Sequence, residues 1–185
     1  MTPFAPKNFA GQTYTFGHLA PITVFENFGP TNIRITYRFG CHCFTEDYVV
    51  GRHTPGHVYV HEGETRAFNT QRYQLSLQLP GILTKKLLRG MVYRSKHNYT
   101  YISQVSLNVG GGVMVDYPVF FSIEKDQNID HPGVVIFVKS AYLVNLHIED
   151  NARNQRFKSL VAHYAGINPE VEKKPRPTKK SAPKK

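Results

Sequence analysis

From Met91 to Val144 the hydrophobic period is 2, carried by four runs: Met91 to Arg94, Tyr99 to Leu107, Tyr117 to Lys125 and Val134 to Val144. A period of 2 sends alternate side chains to opposite faces of an extended chain, so each run is an expected strand. The connections are turn-rich: Ser95 to Asn98, the Gly110-Gly111-Gly112 region, and Asp126 to Gly133. Four strands joined in this way predict an antiparallel meander. Val134 to Val144 is apolar on both faces, which predicts a central strand.

Upstream, Ile33, Ile35, Tyr37 and Phe39 alternate with Arg34, Thr36 and Arg38, giving another strand. Gly40 is expected to bend it before Cys41 to Thr45 continues, and His57 to Thr65 alternates again. Asn69-Thr70 offers an N-cap for a helix from about Gln71. Pro80 interrupts that helix; Ile82, Leu83, Leu87 and Leu88 resume it until Gly90, with Lys85, Lys86 and Arg89 on its polar side. Phe157, Leu160, Val161 and Tyr164 space a final helix. The expected class is α+β: an antiparallel sheet of about 5–7 strands, a helical segment before a C-terminal four-strand meander, and a closing helix. Residues 1–30, punctuated by Pro and Gly, read as an irregular arm with a short strand at Ile22 to Phe25. Residues 31–168 read as one domain and 169–185 as a disordered basic tail.

Charge is unevenly placed. Thr65 to Val115 contains no Asp or Glu but carries Arg66, Arg72, Lys85, Lys86, Arg89, Arg94 and Lys96. A second block lies in the tail: Lys173, Lys174, Arg176, Lys179, Lys180, Lys184 and Lys185. The acid-free stretch is expected to fold into one electropositive surface that engages RNA or another polyanion. The first residues lack a charged segment followed by an apolar run, and no apolar stretch approaches the ~20 residues of a membrane helix. The expectation is a soluble, cytoplasmic protein with no membrane partner.

Metal chemistry finds little support at this level, and no cofactor or metal is expected. His53, His57 and His61 recur every four residues, but Pro55-Gly56 forbids a helix between the first two. On a strand, His57 and His61 stand ~13 Å apart, too far for one tetrahedral ion. A site combining Cys41 and Cys43 with one histidine is geometrically allowed, and a disulfide between these cysteines closes a strained ring. The group with the most chemistry is Arg94-Ser95-Lys96-His97-Asn98-Tyr99-Thr100-Tyr101. Metal-free RNA cleavage needs a base for the 2′-hydroxyl, an acid for the departing 5′-oxygen and cations for the phosphate. The catalytic candidates are therefore His97 for proton transfer, Lys96 and Arg94 for phosphate, and Tyr99 for stacking or proton donation. Tyr101, Arg72, Lys85, Lys86, Arg89 and Tyr142 are the substrate-binding candidates, with His42 and Ser140 as further contributors. Turn chemistry and strand propensity alone also account for this string.

Several strings resemble a group of short bacterial proteins that carry stationary-phase adaptation or heat-shock labels. They are C-H-C-F-T from Cys41, R-A-F-N-T-Q-R-Y-Q-L-S-L-Q-L-P from Arg66, H-N-Y-T-Y-I from His97, V-F-F-S-I-E-K from Val119 and V-I-F-V-K-S-A-Y-L from Val135. The resemblance spans Cys41 to Leu143 and implies no particular activity. A second similarity, in coarse topology and in Ser140-Ala141-Tyr142, is to ribonuclease toxins of the barnase-like, colicin-type and RelE-like kinds. It implies RNA cleavage without metal, although Pro80 and the C-terminal extension depart from that pattern. Two expectations stand together: a basic, nucleic-acid-engaging protein acting as a metal-independent, toxin-like endoribonuclease, or a non-enzymatic accessory factor, for instance of a mobile element, that binds nucleic acid or protein.

Overall fold

A computed structural model describes residues 4–95, 101–108, 114–127, 130–144 and 154–167. Among them the chain forms a seven-stranded sheet, a three-stranded sheet and a two-stranded hairpin. The large sheet has the order β12 (Asn154–Arg156), β8 (Met91–Arg94), β9 (Tyr101–Asn108), β10 (Met114–Lys125), β11 (Gly133–Ala141), β4 (Thr31–Phe39) and β3 (Ile22–Phe28). Its meander is β8 (Met91–Arg94), β9 (Tyr101–Asn108), β10 (Met114–Lys125) and β11 (Gly133–Ala141), antiparallel throughout as the period-2 runs predict. The expected α+β class holds, with one correction: β11 pairs parallel with β4 (Thr31–Phe39), so the sheet is mixed. β11 is flanked by a strand on each side, as expected of a central strand, but only one of its faces is buried in the core, and Phe137 on the other face stays exposed. Most of the expected 95–98 and Gly110-Gly111-Gly112 turns, and the 169–185 tail, lie outside the described residues.

The core sits on one face of this sheet. Ile33, Ile35 and Tyr37 of β4, Ile136 and Val138 of β11, and Tyr117, Val119 and Phe121 of β10 are buried there. Two helical layers cover them. One begins with α1 (Thr70–Ser76), where the Asn69 side chain accepts the Arg72 backbone N–H at 2.9 Å. Pro80 stands at the first turn of α2 (Leu79–Gly81), after which the chain winds through a wide turn at Ile82–Lys86 and a tight one at Leu87–Arg89. Leu79, Leu83 and Leu87 are buried, and the Tyr37 hydroxyl donates to the Leu83 carbonyl at 3.2 Å. The other layer is α3 (Phe157–Tyr164), preceded by β12 (Asn154–Arg156); Phe157 meets Phe121 edge-on at 5.7 Å. Among the described residues no helix is long and apolar enough to cross a membrane.

Three local expectations change. Cys41–Cys43 is a tight helical turn rather than a continuing strand, and β5 is only Thr45–Asp47. The alternation from His57 to Thr65 is a hairpin, β6 (Val58–His61) and β7 (Glu64–Phe68), not one strand. Glu62 at φ 49° and Gly63 at φ 82° make the turn, and glycine is the residue that enters that region without steric cost. Residues 4–30 are more ordered than an irregular arm. They form β1 (Lys7–Phe9), β2 (Gln12–Tyr14) and the edge strand β3 (Ile22–Phe28). Phe4, Tyr14, Phe16 and Leu19 are buried, and Phe16 stacks on Phe44 at 4.0 Å. Aromatic area of this kind locks the N-terminal hairpin to the small sheet.

The parallel join depends on close backbone approach at Gly133. A Cβ there would lie 2.8 Å from the Arg34 carbonyl oxygen. Gly133→Ala is expected to part β4 from β11 at their start and destabilise the fold by about 1–3 kcal/mol, the cost of overpacking, read as a lowered Tm.

Candidate functional site

Parallel pairing brings the C-terminal ends of β4 and β11 out side by side, with Arg38 opposite Phe137 and Phe39 opposite Val138. Strand alternation buries Phe39 and Val138 and turns Arg38, Phe137 and Lys139 to the other face. The chain then leaves β4 through the Cys41–Cys43 turn into the small sheet, whose β6–β7 hairpin stands opposite. A groove of about 810 Å³ opens between them. One wall carries Arg38, Phe120, Phe137, Lys139 and Ser140; the other carries Cys41, His42, His61, Glu62 and Glu64; Ser95 also lines it.

The walls differ in electrical character. Arg38 and Lys139 make no ion pair or hydrogen bond with any described residue, so their charges face solvent. Phe137 stays 40% exposed although it lies in the middle of a sheet. On the opposite wall His42 Nε2 lies 2.9 Å from Glu64 Oε2. Arg66 Nη1 donates to Glu64 Oε1 at 3.0 Å and pairs with Asp47 at 2.9 Å, while its Nε donates to the Thr45 hydroxyl at 2.8 Å. The His42 hydrogen bond, with burial opposing it and Arg66 assisting, holds the Glu64 carboxyl below the usual carboxylate range. Burial pushes the Cys41 thiol up, and the Glu64 charge adds to that. Cys41 and Cys43 are both free and buried. The Cys43 thiol points away to the Val138 carbonyl, so the two sulfurs do not share a site.

Among the described residues the basic stretch does not form one continuous electropositive surface. Arg66 is buried and neutralised by Asp47 and Glu64. Arg72 is half-buried and donates to the Thr45 and His42 carbonyls at 2.7 and 3.4 Å, fixing the turn that presents His42. Its guanidinium lies 4.1 Å from the Tyr142 ring centroid, and Tyr142 stacks on Phe120 at 5.6 Å. Arg72 and Tyr142 therefore back the groove wall one layer behind Phe120. Tyr101, expected at the substrate, is in the core: it stacks on Phe121 and meets the Tyr164 hydroxyl. Burial, with that hydrogen bond, pushes its phenol up to about 12. Lys85, Lys86, Arg89 and Arg94 are exposed but outside the groove. Lys96, His97 and Tyr99 lie outside the described residues.

Sequence reasoning missed Arg38, Lys139, His61 and Glu64 as partners in one site. The alternation did place Arg38 on the polar side of its strand, and Lys139 was the one charge in a run read as apolar on both faces. The four-residue histidine spacing resolves into separate jobs. The Val49 backbone N–H donates to His53 Nδ1 at 2.9 Å, so neutral His53 carries its proton on Nε2 and donates it to Glu46 at 3.0 Å. Far from a surface histidine, His53 is 8% exposed. His57 Nδ1 accepts the Thr54 N–H at 3.1 Å and caps a turn. His61 packs on Phe4 at 4.8 Å.

A family model described as the YjaZ family matches residues 6–165. No curated protein and no solved structure matches the chain.

Glu46 is a pH-sensitive node beside the site. Burial alone would raise its carboxyl, but hydrogen bonds from His53 and Asn69 and the charges of Arg52 and Arg72 outweigh that and hold it low. A carboxyl lowered in the fold adds stability above its unfolded pKa and loses it as pH falls through the folded value. Glu46→Gln is expected to cost roughly 1.5–3 kcal/mol at neutral pH, the worth of hydrogen bonds to a charge. Thermal melts should show the gap between wild type and variant closing on acidification through the carboxylate range.

Proposed function

The chain belongs to the YjaZ family, and on its geometry we propose that it binds single-stranded RNA along the groove between the large sheet and the β6–β7 hairpin. The observation that carries this reading is the pairing of two uncompensated cations, Arg38 and Lys139, with the exposed Phe137 ring on the same wall. Single strands are held by that combination: cations follow the phosphates and rings take the bases. Arginine adds a planar fork that grips a phosphate through two donors. Phe25, 53% exposed on β3, extends the apolar surface of the same sheet beyond the groove. The lysines from Lys173 to Lys185 add sequence-blind attraction to any polyanion. Double-stranded nucleic acid buries its base faces in the stack and gains nothing from an open ring.

Fluorescence anisotropy with a labelled single-stranded RNA tests this. Replacing Arg38 and Lys139 together by Gln should weaken binding and reduce the slope of log K against log salt by about 1.4, roughly 0.7 per lost phosphate contact. Phe137→Ala should cost about 1–3 kcal/mol without changing that slope, as loss of a stacked base does. Unchanged affinity and slope in the double variant would remove the groove from consideration.

Cleavage of the bound strand is a second reading, and one observation favours it. Ser95, the residue that precedes Lys96 and His97 in the chain, lines the groove. That adjacency in sequence supports the toxin-like, metal-independent mechanism, in which His97 serves as acid or base. RNA incubated with the protein in excess chelator should be cut, and His97→Ala should stop cutting while anisotropy still reports binding. Intact RNA at saturation would end this reading and leave the non-enzymatic binding protein.

A further inference from the structure

We propose that Cys41, His42 and Glu64 bind one Zn²⁺ ion, with its fourth position open to the groove. The sulfur, an imidazole nitrogen and a carboxylate oxygen lie within 4.8 Å of one another. A tetrahedral ion with bonds of about 2.0–2.3 Å keeps its ligand atoms roughly 3.4–3.8 Å apart. The present spacings straddle that range, since His42 and Glu64 already approach to 2.9 Å. Inserting an ion needs these two side chains to part slightly and to close on the Cys41 sulfur, and both lie toward solvent, their side chains 39% and 48% exposed. Cys41 is the fixed member, buried at the floor.

The donor set selects the metal. Thiolate and imidazole together suit Zn²⁺, whereas Mg²⁺ and Ca²⁺ take oxygen ligands. Three protein ligands facing a cavity leave room for water or an anionic oxygen as the fourth, the pattern of open zinc sites. An outer shell is present. Arg66 donates to Glu64 Oε1 at 3.0 Å and is itself tied to Asp47 and Thr45, so the carboxylate is held with one oxygen still able to bind. With Cys41 as thiolate, the ligand set itself (Cys41, Glu64 and neutral His42) carries two negative charges, which match a dication. Cys43 is excluded by its direction, and His53 and His57 by the backbone N–H groups that occupy their Nδ1 atoms.

The full chain, stripped with chelator, would be titrated with Co²⁺ as a spectroscopic stand-in and then with Zn²⁺ against a chromophoric chelator. One equivalent of Co²⁺ should give a near-ultraviolet thiolate-to-metal band and the visible bands of four-coordinate cobalt, both bleached by Zn²⁺. Cys41→Ser should abolish the thiolate band and Cys43→Ser should keep it. His42→Gln and Glu64→Gln alter exposed side chains, so the fold should survive, and each should weaken Zn²⁺ on the order of 100-fold, at least matching the loss of an outer-shell partner. The absence of a thiolate band in the wild type would overturn the site. So would Zn²⁺ binding that persists in Cys41→Ser and Glu64→Gln at wild-type strength. The inference does not rest on RNA binding, because Glu64→Gln leaves Arg38 and Lys139 in place.

Discussion

Six residue pairs, from Gly133 opposite Arg34 to Val138 opposite Phe39, hold β11 parallel to β4. The two strands are about a hundred residues apart in sequence, so this contact closes the longest loop in the sheet. Long-range pairing carries a loop-closure cost that local hairpins avoid. The fold meets it with area: both strands bury an unbroken apolar row against the helical layers. Because the strands run the same way, their C-terminal ends emerge together. That single geometric fact sets Arg38 beside Phe137, brings Lys139 onto the same wall, and leaves the chain to turn at Cys41 into the small sheet.

The two walls of the groove differ in charge, and the groove is not uniformly basic. The large sheet contributes charge without partners, and the small sheet contributes a closed network of His42, Glu64, Arg66 and Asp47. Arg72 ties the halves, gripping the turn through two carbonyls while its guanidinium rests on Tyr142, which in turn supports Phe120. A zinc ion on the acidic wall would offset the repulsion Glu64 exerts on a phosphate chain. The metal and RNA readings are thus compatible, although each stands on its own residues.

Legibility in the sequence followed the range of the interactions involved. The meander was readable because strand alternation is local and survives in each run. The helix from Asn69 was readable because its cap and its Pro80 break are also local. The parallel join was not, since nothing between Phe39 and Gly133 records which strands meet. The hairpin at Glu62-Gly63 was missed because His57 to Thr65 alternates through its own turn. Charge misled in a different way. An acid-free stretch says nothing about carboxylates that arrive from elsewhere, and Asp47 and Glu64 arrive at Arg66. Lys139 went unnoticed for the opposite reason: one cation in an apolar run reads as noise until Arg38 is seen beside it. Tyr101 is a strand residue whose phenol satisfies itself inside the core, and its residue type alone cannot tell that from a stacking platform.

Photo-crosslinking of single-stranded RNA to the full chain, with the modified peptides located by mass spectrometry, tests the account at its centre. Adducts are expected on the two strands that form the aromatic wall, at or beside Phe120 and Phe137. Adducts confined to the Lys85–Arg89 helix or to the lysines beyond Lys173 would contradict it, because RNA would then be held by charge alone and not by the groove that the parallel strands create.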